Sequence, residues 1–189
     1  TRSPSAIAGD LVGAALGALR SRCGGREGAA MPDALSGSLA ELQCCEWSGG
    51  SQLERLCFWL NCLNAGVLAA LCEVEGPLPS SMEDWLDFLS GTRLDVQGRE
   101  LSLLEIERVV LCAQRSPPQR PLGAASPAAG QQCSLLVRAD DDPRASALLA
   151  RAPREAAFGV SLPIRRGAPP LRVFRHELAE AQLQANFAH

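Results

Sequence analysis

The segment from Ser51 to about residue 74 constrains the fold most, because its helical pattern is apolar on most sides of the helix. Apolar residues recur there at spacings of three and four, at Leu53, Leu56, Cys57, Leu60, Leu63, Val67, Leu68 and Leu71. Ser51 with Glu54 three residues later predicts a capping box, and Gly76 and Pro77 predict the end of the helix. A helix that is apolar on nearly all sides is buried, so we predict that the fold is built around this segment.

Shorter patterns on both sides of this segment predict the remaining elements. Helices are expected at 4–22, at 35–45, after Ser80 or Ser81, from Ser102 to Cys112, and at 176–187. Glu105, three residues after Ser102, predicts a second capping box. Strands are expected in a hairpin around the Gln97-Gly98 turn, covering 94–101, and at 133–139, 156–162 and 171–174. Residues 116–132 are typical of a flexible loop, and the acidic triplet at 140–142 before Pro143 of a helix start.

Together these elements indicate an α+β fold. We expect a mainly helical single domain over 51–189, with a small, mostly antiparallel sheet packed on the central apolar helix. Residues 1–50 are expected to form an N-terminal helical extension.

Composition excludes several chemistries. All 18 basic residues are Arg, and the histidines are His176 and His189. A P-loop or a pyridoxal-phosphate enzyme needs a Lys, and zinc proteases of the His-rich class need two His on one helix face. The net charge of −3 disfavours nucleic-acid binding. The sequence contains no run of 18 apolar residues, so we predict no membrane span. We expect no cofactor.

The eight cysteines indicate a reducing environment. Cys44 and Cys45 are adjacent, the central helix carries three more, and no CxxC pair occurs. We therefore expect reduced, mostly buried thiols rather than disulfides or a metal site, in a cytoplasmic module of a larger intracellular protein.

Three segments, in order, resemble the domain of unknown function 547 family. The family's central helix carries a pattern like E-x-x-x-F-W-x-N-x-x-N-A, and ERLCFWLNCLNA supplies Glu54, Phe58, Trp59, Asn61, Asn64 and Ala65. VQGRELSLLEIERVVL resembles the second motif at Gly98, Ser102, Leu103, Ile106, Glu107 and Leu111. AFGVSLPIRRGAPPLRVF resembles the third at Phe158, Gly167, Pro169, Pro170, Arg172 and Val173.

The chain departs from this family at positions where chemistry could reside. Arg108 stands where the family commonly has His, Ala168 where Ser or Cys is usual, and Phe174 where Tyr is common. The resemblance implies a module with no settled activity. We expect a binding or scaffolding domain without catalysis that contacts protein partners; the alternative is a papain-like cysteine hydrolase or another pocket hydrolase, intact or degraded.

The candidate binding residues are Trp59, Asn61, Asn64, Glu107 and Arg172. Asn61 and Asn64 lie on one helix face, where their amides either hydrogen-bond the backbone of neighbouring segments or line a pocket. Arg172 belongs to a basic cluster with Arg165, Arg166 and Arg175, which forms either a solvated turn or an anion site. An ion pair of Arg172 with Glu107 or Glu54 is equally compatible with the sequence.

Cys62 and His176 are the candidates for a catalytic pair. A nucleophilic thiol needs a base within hydrogen-bond reach, and His176, at the start of the last helix, is the internal imidazole available. Cys57 and Cys72 lie on the same central helix as further candidate thiols.

Overall fold

The structure is a computed structural model and describes residues 2–23, 33–46, 50–74, 76–111, 156, 159–160 and 170–188. The predicted strand at 133–139, the helix start at 140–143 and the loop at 116–132 lie outside these residues. Of the predicted strand at 156–162, the described part contains a turn, in which the Gly159 N–H donates to the Ala156 carbonyl at 2.9 Å.

Helices dominate the described residues. The elements in chain order are α1 (Pro4–Cys23), α2 (Asp33–Cys44), α3 (Gln52–Glu73), α4 (Met82–Gly91), β1 (Arg93–Val96), β2 (Arg99–Ser102), α5 (Leu103–Glu105), a π-helical turn (Ile106–Leu111) and α6 (Ala179–Phe187). The predicted α+β class, mainly helical with a small antiparallel sheet, is confirmed.

The central helix α3 forms the core of the molecule. Its predicted capping box is present: the Glu54 N–H donates to Ser51 Oγ at 3.2 Å, and the Ser51 N–H donates to Glu54 Oε2 at 2.7 Å. Every residue from Leu56 to Ala69 is buried. Among the described helices, α3 has the length and hydropathy of a membrane-crossing helix, but 78% of its most apolar window is buried inside the fold. The length and hydropathy of α3 are therefore explained by its position in the core.

Helix α1 packs along α3 and also contacts α2. Its buried face carries Ile7, Ala8, Leu11, Val12 and Ala15. Residues of α1 and α3 belong to one cluster of buried residues. The division of the chain at residue 50 stays a prediction.

The β1–β2 hairpin has the predicted turn. Leu94 pairs with Leu101 and Val96 with Arg99, and Gln97 and Gly98 both have positive φ, at 58° and 69°. Two consecutive residues in the left-handed region are typical of the two-residue turn whose twist matches that of paired strands. The turn also contacts α2, because the Gln97 N–H donates to the Leu42 carbonyl at 3.1 Å.

The helix predicted from Ser102 to Cys112 is present as far as Leu111, where this range of described residues ends, but it is not α-helical throughout. The Ser102–Glu105 capping box is present, but α5 gives way at Ile106 to a π-helical turn that ends at Leu111. Ile106 and Leu111 are both buried although they lie five residues apart. In an α-helix that spacing turns them about 140° away from each other. The wider π turn brings them to the same side.

The C-terminal elements also differ from the prediction. Residues 171–174 are not a strand within the described part of the chain, and residues 176–178 form a turn before α6 begins at Ala179. The Leu178 N–H donates to the Arg175 carbonyl at 3.0 Å in this turn.

Candidate functional site

Asn61 holds the backbone of Phe174. Its Nδ2 donates to the Phe174 carbonyl at 2.9 Å, and its Oδ1 accepts from the Phe174 N–H at 2.8 Å. Asn61 is fully buried, so both halves of its amide are matched inside the core. The amide presents the same donor and acceptor pair that a neighbouring strand would offer.

Gln182 of α6 binds the two backbone groups that flank Phe174 in the same segment. Its Nε2 donates to the Val173 carbonyl at 2.9 Å, and its Oε1 accepts from the Arg175 N–H at 3.0 Å. In extended backbone, alternate residues direct their polar groups to opposite sides. Asn61 and Gln182 therefore satisfy segment 173–175 from its two sides, which explains why an apparent strand has no strand partner here.

Asn64 makes a parallel contact one turn further along α3. Its Nδ2 donates to the Gly159 carbonyl at 3.0 Å, and it is 1% exposed. A Cβ at position 159 would lie 2.7 Å from Leu60 Cδ1, so a glycine there permits the close approach of this backbone to α3. Both predicted asparagines thus bind backbone groups of the C-terminal part of the chain.

Arg172 is held by α6. Its Nε donates to Asn186 Oδ1 at 2.8 Å, and Asn186 is 3% exposed. Across the described residues no ion pair joins Arg172 to Glu107 or Glu54, and Glu107 instead lies 3.8 Å from Arg108. The other two members of the predicted cluster, Arg165 and Arg166, lie outside the described residues.

Trp59 packs in the core beside these polar contacts. Its ring meets Phe58 edge-on, with centroids 5.0 Å apart and an interplanar angle of 76°. Trp59 is 5% exposed, so its surface is used almost entirely in packing. The structure therefore brings Asn61 and Arg172 to one short segment, while Trp59 and Glu107 make separate contacts.

Two of the three cysteines of α3, Cys57 and Cys62, are buried, and Cys72 is partly exposed. Cys62 is fully buried, and this burial raises the pKa of its thiol well above the usual value. Burial also raises the pKa of Cys57 to about 12, and the negative charges of Glu177 and Glu54 add to the effect. Both sulfurs therefore remain protonated at neutral pH, and a thiol is a poor nucleophile compared with the thiolate.

His176 lies near the surface rather than against a thiol. Its side chain is 44% exposed, and Nε2 lies 3.4 Å from Glu177 Oε1. Within the part of the chain that the structure describes, no hydrogen bond joins His176 to Cys57 or Cys62. The described residues also contain no cluster of three or more His, Cys, Asp or Glu arranged to hold a metal ion.

An open groove of about 880 Å³ runs between α1, the start of α2 and segment 173–177. Its lining consists of Ser3, Ser5, Ala6, Gly9, Asp10, Gly13, Ala14, Ala34, Ser38, Val173, Phe174, Arg175, His176 and Glu177. Most of these side chains are small, and α1 approaches the segment closely at Gly9 but not at Gly13. A Cβ at Gly9 would lie 3.3 Å from Val173 Cγ1, whereas one at Gly13 would meet nothing within 4 Å.

Charged side chains of both signs line the groove. Asp10 forms an ion pair with Arg2, and Glu177 lies beside His176. Arg175 is exposed, and no described carboxylate forms an ion pair with it. This groove was not predicted from the sequence. The usable signal was the spacing of Ala6, Gly9 and Gly13 by three and four, which places small residues on one helix face.

Comparisons with known proteins bear on the same part of the chain. Residues 48–189 match the model of a family described as "Protein of unknown function, DUF547". No curated protein and no solved structure matches the chain.

Proposed function

Because this chain belongs to the DUF547 family, whose description assigns no activity, we propose a function from its own residues: a non-catalytic binding module of a larger protein. The groove between α1 and segment 173–177 is its binding site, and an extended acidic peptide segment of a partner protein is the ligand. The observation that carries the proposal is that this groove is lined by His176 and Arg175, with no cysteine among its described lining residues.

The polar residues of α3 support a role outside ligand binding. Asn61 forms hydrogen bonds with the Phe174 backbone through both Oδ1 and Nδ2, and Asn64 donates to the Gly159 carbonyl. A ligand could contact these amides only by displacing bonds already made inside the core. Displacement would leave backbone groups of the protein without partners, which costs about 1–3 kcal/mol for each group.

The thiols of α3 support the absence of catalysis. A cysteine hydrolase needs an accessible thiolate with an imidazole in hydrogen-bond reach. Cys62 is fully buried with a raised pKa, and His176 Nε2 lies 3.4 Å from Glu177 Oε1.

The size and charge of the groove favour a peptide. Its volume of about 880 Å³ lies within the range of about 300–1,000 Å³ typical of ligand sites. Small side chains on α1 leave room for the backbone of an extended segment to approach. The Arg175 guanidinium can donate two hydrogen bonds to the two oxygens of one carboxylate, so we expect acidic peptides to be preferred.

Peptide selection with two matched glycine variants tests this proposal. Peptides are selected from a random library on the intact chain, and their dissociation constants are then measured for the wild type, Gly13→Gln and Gly17→Gln. Both glycines are exposed on α1, and a Cβ at either meets nothing within 4 Å, but only Gly13 lines the groove. We expect Gly13→Gln to weaken binding at least about tenfold, or about 1.4 kcal/mol, and Gly17→Gln to leave it unchanged.

The selected sequences and a charge variant complete the test. Acidic residues should be enriched in the selected peptides, and Arg175→Glu should weaken the binding of these peptides. Failure to select any peptide, or equal affinity for Gly13→Gln and the wild type, would overturn the groove as a binding site.

A further inference from the structure

Exposed apolar side chains are concentrated on one face of α4. Five large apolar side chains are exposed among the described residues, and three of them lie four residues apart: Leu78 at 60%, Met82 at 57% and Leu86 at 36%. Residues four apart on a helix lie above one another, so Met82 and Leu86 form a strip on α4. Leu78 is exposed in the segment that precedes the helix.

The fold of α4 does not require this strip. Its inner side is buried through Trp85 and Leu89, which are 3% and 2% exposed. Its start is fixed by a capping box, in which the Asp84 N–H donates to Ser81 Oγ at 3.0 Å and Asp84 Oδ2 accepts from the Ser81 N–H at 2.9 Å. Met82 and Leu86 are therefore apolar surface beyond what the core uses.

Acidic residues run beside the apolar strip. Glu83 and Asp87 are exposed, also lie four residues apart, and each follows a residue of the strip directly in sequence. The ten residues of α4 contain no Arg, so no basic side chain of the helix itself offsets these charges. We call the set Leu78, Met82, Glu83, Leu86 and Asp87 the α4 face.

We propose that the α4 face docks an amphipathic helix of a partner protein that carries basic residues beside its apolar side. Apolar residues of the partner helix would cover Leu78, Met82 and Leu86, and its basic residues would lie against Glu83 and Asp87. Charge of this sign steers a basic partner toward the face and repels anionic lipid and nucleic acid. This surface is distinct from the groove and goes beyond the proposed function.

Two designed peptides test the proposal on the intact chain. One is a helical peptide with leucines at spacings of three and four flanked by arginines; the other has glutamate in place of every arginine. We expect saturable binding of the basic peptide, weakened by added salt because the charges are exposed, and no binding of the acidic peptide. The doubly substituted Glu83→Arg, Asp87→Arg chain should reverse this preference.

Matched variants separate the α4 face from the rest of the surface. Leu78→Ser combined with Met82→Ser should weaken binding of the basic peptide at least about tenfold without changing the melting temperature, since both side chains are exposed. Leu178→Ser, which removes an exposed leucine elsewhere, and Gly13→Gln in the groove should each leave this binding unchanged.

Three outcomes would overturn the inference. They are the absence of saturable binding to the basic peptide, an equal loss of binding in Leu178→Ser, and preferential binding of the chain to phosphatidylserine vesicles over the peptide. If Gly13→Gln loses peptide binding in the groove but still binds the basic helical peptide, the proposal for the α4 face is supported. The two proposals can therefore fail independently.

Discussion

At the scale of single residues, the asparagines of α3 act as structural links. Their presence inside an apolar helix was visible in the sequence, and the sequence left open whether they line a pocket or bind the backbone. The structure shows the second arrangement for Asn61, whose partner Phe174 lies more than a hundred residues away. Periodicity reports which face a residue occupies but not which distant segment packs there, so Gln182 could not be identified as its counterpart.

Removing the Asn61 amide should destabilise the whole fold. Asn61→Ala leaves the Phe174 N–H and carbonyl buried without the partners that Asn61 supplies, so we expect the free energy of unfolding to fall by about 2–6 kcal/mol. The midpoint of urea denaturation measures the change. Gln43→Ala, at an exposed position of α2, serves as the control and should leave the midpoint unchanged. Equal midpoints for Asn61→Ala and the wild type would contradict the role of the amide.

At the scale of elements, locally encoded features were predicted well and non-local ones were not. Ser51 with Glu54, Ser102 with Glu105, and the Gln97-Gly98 turn act within a few residues, so the sequence was sufficient to place them. The segment before Arg175 looks like a strand because its side chains suit one, but its hydrogen-bond partners come from helices. The π-helical turn was missed because it depends on burial of Ile106 and Leu111 against the rest of the fold.

The cap of α4 should make Asp84 unusually acidic. Hydrogen bonds from the backbone of Ser81 and Ser80 lower the pKa of Asp84 from 3.8 to about 2, with smaller contributions from the two hydroxyls. A lowered folded-state pKa stabilises the fold above the unfolded-state value, and this stabilisation is lost as the pH falls from about 4 through about 2. A carboxyl NMR titration measures the pKa directly.

Two serine variants check the cause of this shift. Ser81→Ala removes a hydroxyl that lowers the pKa, so the Asp84 pKa should rise. Ser90→Ala, whose hydroxyl donates to the Asp87 carbonyl at the other end of α4, should leave the pKa in place. A Ser81→Ala titration that superimposes on the wild type would contradict the assignment.

At the scale of the whole molecule, one apolar core spans α1, α3 and the C-terminal segment. The central position of α3 followed from its apolar pattern, and the α+β class followed from the predicted helices and strands together. The groove could not be inferred in the same way, because its walls come from α1 and from residues more than 150 positions later, and most of its lining side chains are small. Small residues carry little periodic signal from which a surface can be predicted.

Thiol labelling should report the global stability of this core. In native protein at pH about 8, iodoacetamide should modify the exposed Cys44 and spare Cys57 and Cys62, which are buried and have raised pKa values. Mass spectrometry of digested protein assigns the sites, and protein unfolded in guanidinium, where all eight cysteines are accessible, is the control. Rapid native labelling of Cys62 would contradict its burial and favour the hydrolase alternative.

The two amide contacts to segment 173–175 have a consequence for how this chain can diverge during evolution. A strand fixed by its neighbours depends on a matching register in each of them, whereas here two individual side chains, Asn61 and Gln182, specify the position of the segment. Both amides bind backbone groups, so the side chains of residues 173–175 can change without loss of these contacts. Homologues should accordingly retain both amides while the side chains of the segment vary.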